Sequence, residues 1–152
     1  MRIVVQRVTE GHVTVDGGTH GSIRNGLVVL LGIAREDTQA DADYLLDKLL
    51  GLRIFADDQG KMNRSILDAG GELLIVSQFT LFADCRKGRR PSFDRSAPPD
   101  QAKALYDYFV EKALRGPVRV ATGVFQASMQ LYLVNDGPVT ILVDSADRTR
   151  NS

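Results

Sequence analysis

The 152-residue sequence contains one cysteine, two histidines and no tryptophan. A single cysteine, Cys85, excludes an intrachain disulfide and a metal site built from paired cysteines. The longest clear apolar run, Leu27 to Ile33, is far shorter than the roughly 20 residues that a membrane-spanning helix needs. Gln6 and Arg7 interrupt the apolar start of the chain, which therefore lacks the pattern of a signal peptide. These absences predict a cytoplasmic protein with no membrane association.

The sequence also has no net charge, since 19 basic residues balance 19 acidic ones. Global charge therefore gives no indication of a nucleic-acid partner. Its distribution is uneven, because basic side chains crowd one short polar stretch: Arg86, Lys87, Arg89, Arg90 and Arg95. Such a cluster suffices to bind a few phosphates, and the alternative is a solvated loop.

Catalytic bases and metal ligands are scarce. Nothing in the sequence places His12 or His20 beside a nucleophile, so solvated or capping roles are favoured for both. Cys85 lies in a polar stretch without an evident partner. No HExxH, paired-cysteine or carboxylate-cluster pattern indicates a metal, and no glycine-rich phosphate loop indicates a nucleotide. We therefore expect no metal and no cofactor. An ester hydrolase of this composition would have to rely on backbone N–H groups and on its substrate.

The hydrophobic pattern predicts one α+β domain over residues 1–145, followed by a polar tail over 146–152. One helix is capped by Asp37 or Thr38 and ends near Gly51, and a second begins near Asp100. Because strands outnumber helices, we expect a curled, barrel-like sheet with the two main helices packed on one side. Strands are predicted over 2–9, 12–16, 26–34, 52–55, 72–82, 118–122, 125–134 and 139–143.

Two short segments depart from ordinary strand patterns. Ser77-Gln78-Phe79-Thr80-Leu81-Phe82 places hydroxyl and amide groups at the end of an apolar run. Asn135-Asp136-Gly137-Pro138-Val139-Thr140 places a Gly-Pro bond between two apolar runs, which predicts a hairpin because proline is normally kept out of central strands. The cis form of an X-Pro bond costs only roughly 0.5–1 kcal/mol. A cis bond here would turn its carbonyls out of the sheet, toward a ligand.

SQFTL and NDGPVT, in this order and at this separation, resemble the two signature motifs of the D-aminoacyl-tRNA deacylase family. The likeness covers nearly the whole chain except the tail, and it includes Met1 to Val8, Gly51 to Phe55, Asp58 to Asn63 and Arg90 to Phe93. It implies a homodimeric hydrolase that removes D-amino acids such as D-tyrosine from tRNA. This sequence departs from the family pattern mainly in its Cys85-Arg86-Lys87 loop and its tail.

The resemblance also implies roles for individual residues in catalysis. The catalytic site is lined by Ser77, Gln78, Phe79 and Thr80. Backbone N–H groups near Phe79 and Thr80 would hold the developing oxyanion. The 2′-hydroxyl of the terminal adenosine at the 3′ end of the tRNA would assist the attack. Apart from the resemblance, the clustered charge of Arg86, Lys87, Arg89 and Arg90 makes them candidates for contacts with the tRNA backbone.

Selection of the D-amino acid is assigned by the same resemblance to Gly137 and Pro138. In the family this pair is cis and reaches across the dimer into the partner's site, where its carbonyls bind the α-ammonium and its bulk rejects L-side chains. Glycyl-tRNA, which has no side chain to reject, would also be hydrolysed. Arg7 would hold the pair in place, unless it is a surface arginine, and Met129 would pack beside it.

Two alternatives remain open at this point. The first is a nucleic-acid-binding module of the same fold that does not catalyse a reaction. The second is an esterase that uses Thr80 as its nucleophile.

Overall fold

One long strand organises the sheet. β1 (Arg2–Val15) pairs antiparallel with β3 (Gly26–Gly32) along its first half and with β2 (Gly18–Ile23) along its second half. The two strands predicted over 2–9 and 12–16 are therefore one. Asp16 and Gly17 join β1 to β2 with φ values of 50° and 81°, as expected for a two-residue hairpin turn. The computed structural model describes residues 1–149.

The sheet continues through parallel strands and curls into a barrel-like shape, as predicted. β6 (Glu72–Ser77) lies beside β3, and β7 (Val120–Thr122) lies beside β6, which gives the order β2-β1-β3-β6-β7. The two ends of this order approach each other closely. A Cβ added to Gly21 of β2 would lie only 2.4 Å from the carbonyl oxygen of Thr122 in β7, so the approach requires glycine.

Within residues 1–149 three α-helices accompany the sheet: α1 (Gln39–Gly51), α2 (Ile66–Ala69) and α3 (Pro99–Leu114). α1 begins at Thr38, which forms a capping box with Asp41, and its Leu45 and Leu49 are fully buried. α2 is a single turn capped by the Ser65 hydroxyl. Within residues 1–149 no helix is long and apolar enough to cross a membrane.

The core lies on both faces of the sheet because β3 and β6 are buried on both sides. Leu27 and Leu31 of β3 pack with the cluster that contains the α1 and α3 side chains. Val28 and Leu74 pack in a second, smaller cluster inside the curl of the sheet. The two longer helices thus cover one face, as the pattern predicted.

Three local predictions were wrong at their boundaries. Residues 52–55 do not return to the main sheet, because β4 (Phe55–Ala56) pairs instead with β5 (Met62–Arg64) in a separate ribbon. The strand predicted over 72–82 ends at Ser77, where the chain turns into a short 3-10 helix, Phe79–Phe82. The strand predicted over 125–134 begins only at Gln130.

The predicted polar tail is described only in part. Ser145–Thr149 form another short 3-10 helix, and the Ser145 N–H donates to the Met1 carbonyl at 2.8 Å. Residues 150–152 of the predicted tail lie outside the described residues.

Candidate active site

The first sequence motif forms a turn at the carboxyl end of β6. The Gln78 N–H donates to the Leu31 carbonyl at 2.8 Å, which is the last tie of this segment to β3. The first hydrogen bond of the 3-10 turn runs from the Leu81 N–H to the Gln78 carbonyl at 3.3 Å. The N–H groups of Phe79 and Thr80 precede that bond, as the first N–H groups of any helix do. The motif therefore places two adjacent backbone donors at a strand end.

Several neighbours hold this turn in place. The Ser96 hydroxyl lies 3.0 Å from the Phe79 carbonyl oxygen, and the Arg2 guanidinium donates to the Leu81 carbonyl at 2.9 Å. Gly32 of β3 lies directly beneath, where an added Cβ would come within 2.9 Å of the Leu81 Cβ. The turn is therefore braced by β1, by β3 and by the segment that contains Ser96.

The Thr80 hydroxyl is exposed and accepts a hydrogen bond from the Gln78 side-chain amide. An amide N–H cannot take a proton from the hydroxyl, so this contact does not activate Thr80 as a nucleophile. His12 stacks on Tyr132 with ring centroids 4.6 Å apart, and His20 lies on β2. Among the hydrogen bonds of residues 1–149, none joins either histidine to Thr80.

A cleft of about 710 Å³ opens beside the turn. The Phe79 and Phe93 rings meet edge to face at its wall with centroids 5.1 Å apart, and both are partly exposed. The cleft is mainly apolar with few polar groups, as is usual for a small-molecule site. Its lining includes Ser77, Gln78, Phe79, Arg35, Phe93, Ser96, Phe125, Ala127 and Met129.

The second motif is a bulge in a continuous strand, so the predicted hairpin was wrong. β8 (Gln130–Asp144) pairs antiparallel with β1 on both sides of the motif. Gln6 pairs with Thr140 and Val8 pairs with Asn135, so that Arg7 alone faces residues 136–139. We call residues 136–139 the Gly-Pro bulge. The Gly137–Pro138 peptide bond is cis, as predicted.

Asn135 replaces the ladder bonds that the bulge interrupts. Its side-chain amide donates to the Arg7 carbonyl at 2.9 Å and to the Val139 carbonyl at 3.0 Å. One side chain thus bridges β1 and the far end of the bulge. This bridging lets both apolar halves of β8 remain paired with the same strand.

Arg7 is the main contact of the bulge. Its Nε donates to the Asp136 carbonyl at 3.1 Å, and its Nη1 donates to the Ile54 carbonyl at 2.6 Å. The Arg7 side chain is only 14% exposed, so it is not a surface arginine. Gly137 adjoins it with a φ of +128°, and an added Cβ would lie 2.9 Å from the Arg7 Nη2.

Within one chain the two motifs lie apart. Gly137 and Pro138 are exposed and do not line the cleft. Met129 lines the cleft and thus accompanies the first motif rather than the bulge. β8 pairs only with β1 among the strands of residues 1–149, and it exposes Tyr132, Val134 and Leu142 on either side of the bulge.

The basic cluster lies on an exposed loop after the turn. Asp84 and Ser92 exchange two backbone hydrogen bonds, at 2.7 and 2.9 Å, and close the loop. The Arg86 guanidinium binds the Asp84 carboxylate through two nitrogens, which lowers the pKa of Asp84 to about 2. Within the described part of the chain no ion pair involves the remaining basic side chains of the loop, which are Lys87, Arg89 and Arg90.

No group of three or more His, Cys, Asp or Glu side chains that could hold a metal occurs between residues 1 and 149. Cys85 is a free, exposed thiol on the basic loop. The polar side chains among the residues that line the cleft are hydroxyls, the amides of Gln78 and Gln126, and the Arg35 guanidinium.

A family model described as D-Tyr-tRNA(Tyr) deacylase matches residues 4–144. The chain belongs to this family. It is 59% identical over 150 residues to a protein of Solibacter usitatus (strain Ellin6076) named D-aminoacyl-tRNA deacylase, and the match covers 99% of each chain. It is 60% identical over 145 residues to a protein of the same name from Kosmotoga olearia, covering 95% of this chain and 97% of the relative. Membership in this deacylase family identifies the chain as a hydrolase of the aminoacyl-tRNA ester bond, so the prediction of an enzyme is confirmed.

Two solved structures share the fold of this chain. A structure named c-Myc DNA Unwinding Element Binding Protein superimposes with a TM-score of 0.90 at 43% identity, covering 95% of this chain and 98% of that one. A structure described as a probable eukaryotic D-amino acid tRNA deacylase superimposes with a TM-score of 0.79 at 22% identity, covering 94% and 98%. The second likeness supports the fold alone.

Sequence reasoning missed three residues that contact the two motifs. Ser96 and Gly32 brace the first motif, and Asn135 braces the second. Asn135 lay within the recognised NDGPVT motif but carried no predicted role. Ser96 follows the Arg90-Pro91-Ser92-Phe93 stretch of the resemblance. No sequence signal sets Ser96 apart from other serines, and only its hydrogen bond to the Phe79 carbonyl does so.

Proposed function

We propose that this deacylase removes D-amino acids from tRNA as a homodimer, with the cleft of one subunit completed by the Gly-Pro bulge of the other. The single observation that carries this proposal is the separation of the two motifs within one chain. The cleft is lined by Ser77, Gln78 and Phe79 of the first motif and not by Gly137 or Pro138, which are exposed. A second copy of the chain would bring both parts to each of two sites.

The edge of β8 supports this arrangement. An exposed strand edge with apolar side chains is a surface that proteins usually cover. On β8 these side chains are Tyr132, Val134 and Leu142, which lie in the same strand as the bulge. A two-fold interface along this strand would therefore project Gly137 and Pro138 toward the partner.

Chiral selection would follow from the backbone of the bulge. Arg7 donates to the Asp136 carbonyl, and the carbonyls of Gly137 and Pro138 would accept hydrogen bonds from a substrate α-ammonium. Hydrogen bonds to a charged group contribute about 1.5–3 kcal/mol each. With the ammonium and the ester both held, an L-side chain would collide with the bulge, whereas a D-side chain would point to solvent. Glycyl-tRNA would escape this collision and be hydrolysed as well.

Catalysis would depend on the backbone and on the substrate. Among residues 1–149 the Thr80 hydroxyl is hydrogen-bonded to the Gln78 amide and not to a base, so the 2′-hydroxyl of the terminal adenosine would assist the attack on the ester. The N–H groups of Phe79 and Thr80 would stabilise the oxyanion, and such donors contribute roughly 3–4 kcal/mol in other acyl-transfer sites. Exposed Phe79 and Phe93 at the cleft would contact the terminal nucleoside.

The basic loop provides a surface for the phosphates of the tRNA. Lys87, Arg89 and Arg90 carry charges that no ion pair within residues 1–149 neutralises, and they would bind phosphates of the acceptor end.

Aminoacyl-tRNA is the substrate of translation, so we place the activity in the cytoplasm.

A second candidate is nucleic-acid binding without catalysis. Two observations favour it: the exposed basic loop, and the name of the relative that superimposes with a TM-score of 0.90. The two candidates make different predictions, because a binding module needs neither the braced turn nor the bulge.

The test is deacylation of D-tyrosyl-, L-tyrosyl- and glycyl-tRNA by the purified protein. We expect hydrolysis of the D-tyrosyl and glycyl esters and survival of the L-tyrosyl ester. Binding of all three without hydrolysis would favour the second candidate. Resistance of glycyl-tRNA at enzyme levels that clear D-tyrosyl-tRNA would contradict steric rejection.

Mixed dimers test the cross-subunit site directly. A cleft variant, Phe79→Pro, which lacks one of the proposed N–H donors, and a bulge variant, Gly137→Ala, are each expected to be inactive alone. Co-expressed, they should form heterodimers that hold one intact site, which returns about a quarter of the wild-type activity for random pairing. An active monomer, or heterodimers as inactive as their parents, would contradict the shared site.

A further inference from the structure

We infer that Ser96 is a positioning residue of the deacylase, which orients the Thr80 N–H toward the developing oxyanion. The inference rests on the proposed role of the Phe79 and Thr80 N–H groups. It adds a residue outside both sequence motifs to the machinery of the site.

One peptide unit joins Phe79 to Thr80. The carbonyl oxygen of Phe79 and the N–H of Thr80 belong to one planar unit and point in opposite directions. Whatever holds the carbonyl therefore also sets the direction of the N–H. The Ser96 hydroxyl donates to this carbonyl at 3.0 Å.

The backbone around Ser96 is held in place by burial and by hydrogen bonds. It is only 7% exposed, and its backbone N–H donates to the Phe93 carbonyl at 3.0 Å. On either side of it, the Ala97 N–H donates to the Ile33 carbonyl at 2.9 Å, and the Arg35 N–H donates to the Arg95 carbonyl at 3.1 Å. These backbone hydrogen bonds tie the segment that contains Ser96 to Ile33 and Arg35, which follow β3, and they fix the position of the Ser96 side chain.

Ser96 and Phe79 both line the cleft, so their hydrogen bond lies beside the proposed site. The Phe79 ring is steadied separately by Phe93, which lies three residues before Ser96. One segment therefore holds both the ring and the carbonyl of Phe79. Without the hydroxyl, the peptide could rotate and turn the Thr80 N–H away from the reacting ester.

The test compares Ser96→Ala with Ser96→Thr, which keeps the hydroxyl. For D-tyrosyl-tRNA we expect Ser96→Ala to lower kcat by about 10-fold or more, short of the 10²–10³-fold loss from deleting a donor outright. KM, and the affinity for a non-hydrolysable 3′-amide analogue of D-tyrosyl-adenosine, should change by less than about twofold, because this contact serves the transition state. Ser96→Thr should recover most of kcat.

Ser65→Ala is the matched control. Ser65 is also a buried serine, but its hydroxyl caps α2 by accepting from the Asp68 N–H at 3.2 Å. Its loss should lower the melting temperature and leave kcat unchanged. If Ser96→Ala misfolds, Ser96→Cys provides the measurement, because a weak thiol donor should give an intermediate kcat in a folded protein.

The outcomes separate this inference from the proposed function. An inactive wild-type protein would overturn the proposed function itself. An active wild type whose Ser96→Ala variant keeps the kcat of Ser65→Ala, or loses it without rescue by Ser96→Thr, would overturn the role of Ser96 alone.

Discussion

Arg7 and Asp136 are joined where the pairing of β1 and β8 shifts register between Gln6 and Val8. The Arg7 Nε lies 3.1 Å from the Asp136 carbonyl oxygen, one residue before Gly137. The same guanidinium also binds the Ile54 carbonyl, so the position of the bulge is tied to the segment that follows α1.

The first prediction concerns this guanidinium. Arg7→Lys should lower the free energy of unfolding by about 1–3 kcal/mol, because one ammonium on a flexible stem cannot reproduce both hydrogen bonds. It should also reduce the preference for D- over L-tyrosyl-tRNA. Denaturant unfolding and deacylation assays measure the two effects. Arg53→Lys, at an exposed position, is the control and should change neither. Unaltered selectivity in Arg7→Lys would remove Arg7 from the account of chirality.

Gly137 should tolerate no side chain. At a φ of +128°, Gly137→Ala would be strained, and its Cβ would lie 2.8 Å from the Val139 Cγ2. We expect a loss of about 1–3 kcal/mol in unfolding free energy and a loss of D-tyrosyl-tRNA hydrolysis. Gly51→Ala is the matched control, since nothing lies within 4 Å of its added Cβ. Equal stability of the two variants would show that the bulge adapts to a side chain.

Thr80 should prove dispensable as a nucleophile. Because the Thr80 hydroxyl is hydrogen-bonded to the Gln78 side-chain amide and not to a base, Thr80→Val should retain measurable turnover. A substrate with a 2′-deoxy terminal adenosine should react very poorly with the wild-type enzyme. Single-turnover assays of both reactions make the comparison. A trapped aminoacyl-Thr80 ester would instead establish the esterase alternative.

The basic loop should determine the salt dependence of tRNA binding. Each phosphate contact contributes a slope on the order of −0.7 to −0.9 in log K against log salt. Replacing Arg89 and Arg90 with glutamine should weaken binding and flatten that slope, while the D-over-L preference stays constant. The control is a double variant, Lys48→Gln with Lys103→Gln, which removes two positive charges from α1 and α3 instead of from the loop. Equal slopes for the two double variants would make the loop an ordinary solvated surface.

Asp84 should titrate well below an ordinary aspartate. Arg86 favours the charged carboxylate, so the folded-state pKa is about 2 against an unfolded value near ~3.9. The pair therefore stabilises the loop fully above about pH 4, and this contribution is lost as the pH falls toward 2. NMR titration of the Asp84 carboxyl measures the pKa, and Arg86→Gln should raise it. A wild-type Asp84 that titrates near pH 4 would show that the pair does not form in solution.

Much of the fold could be predicted because its signals are local. The spacing of Leu45 and Leu49 with Thr38 before them specifies α1, and Asp16-Gly17 specifies the first hairpin. The family, and with it the candidate residues, followed from two short motifs and their order. These features depend on residues that are neighbours in the chain, so the sequence by itself determined them.

The tertiary structure alone decided how those motifs are held. Proline at 138 is compatible with a hairpin or a bulge, and the pairing of both halves of β8 with β1 selected the bulge. The contact of Ser96 with Phe79 spans 17 residues, and that of Arg7 with Asp136 spans 129. No periodicity or local propensity encodes such contacts, because they exist only once distant strands have paired and curled.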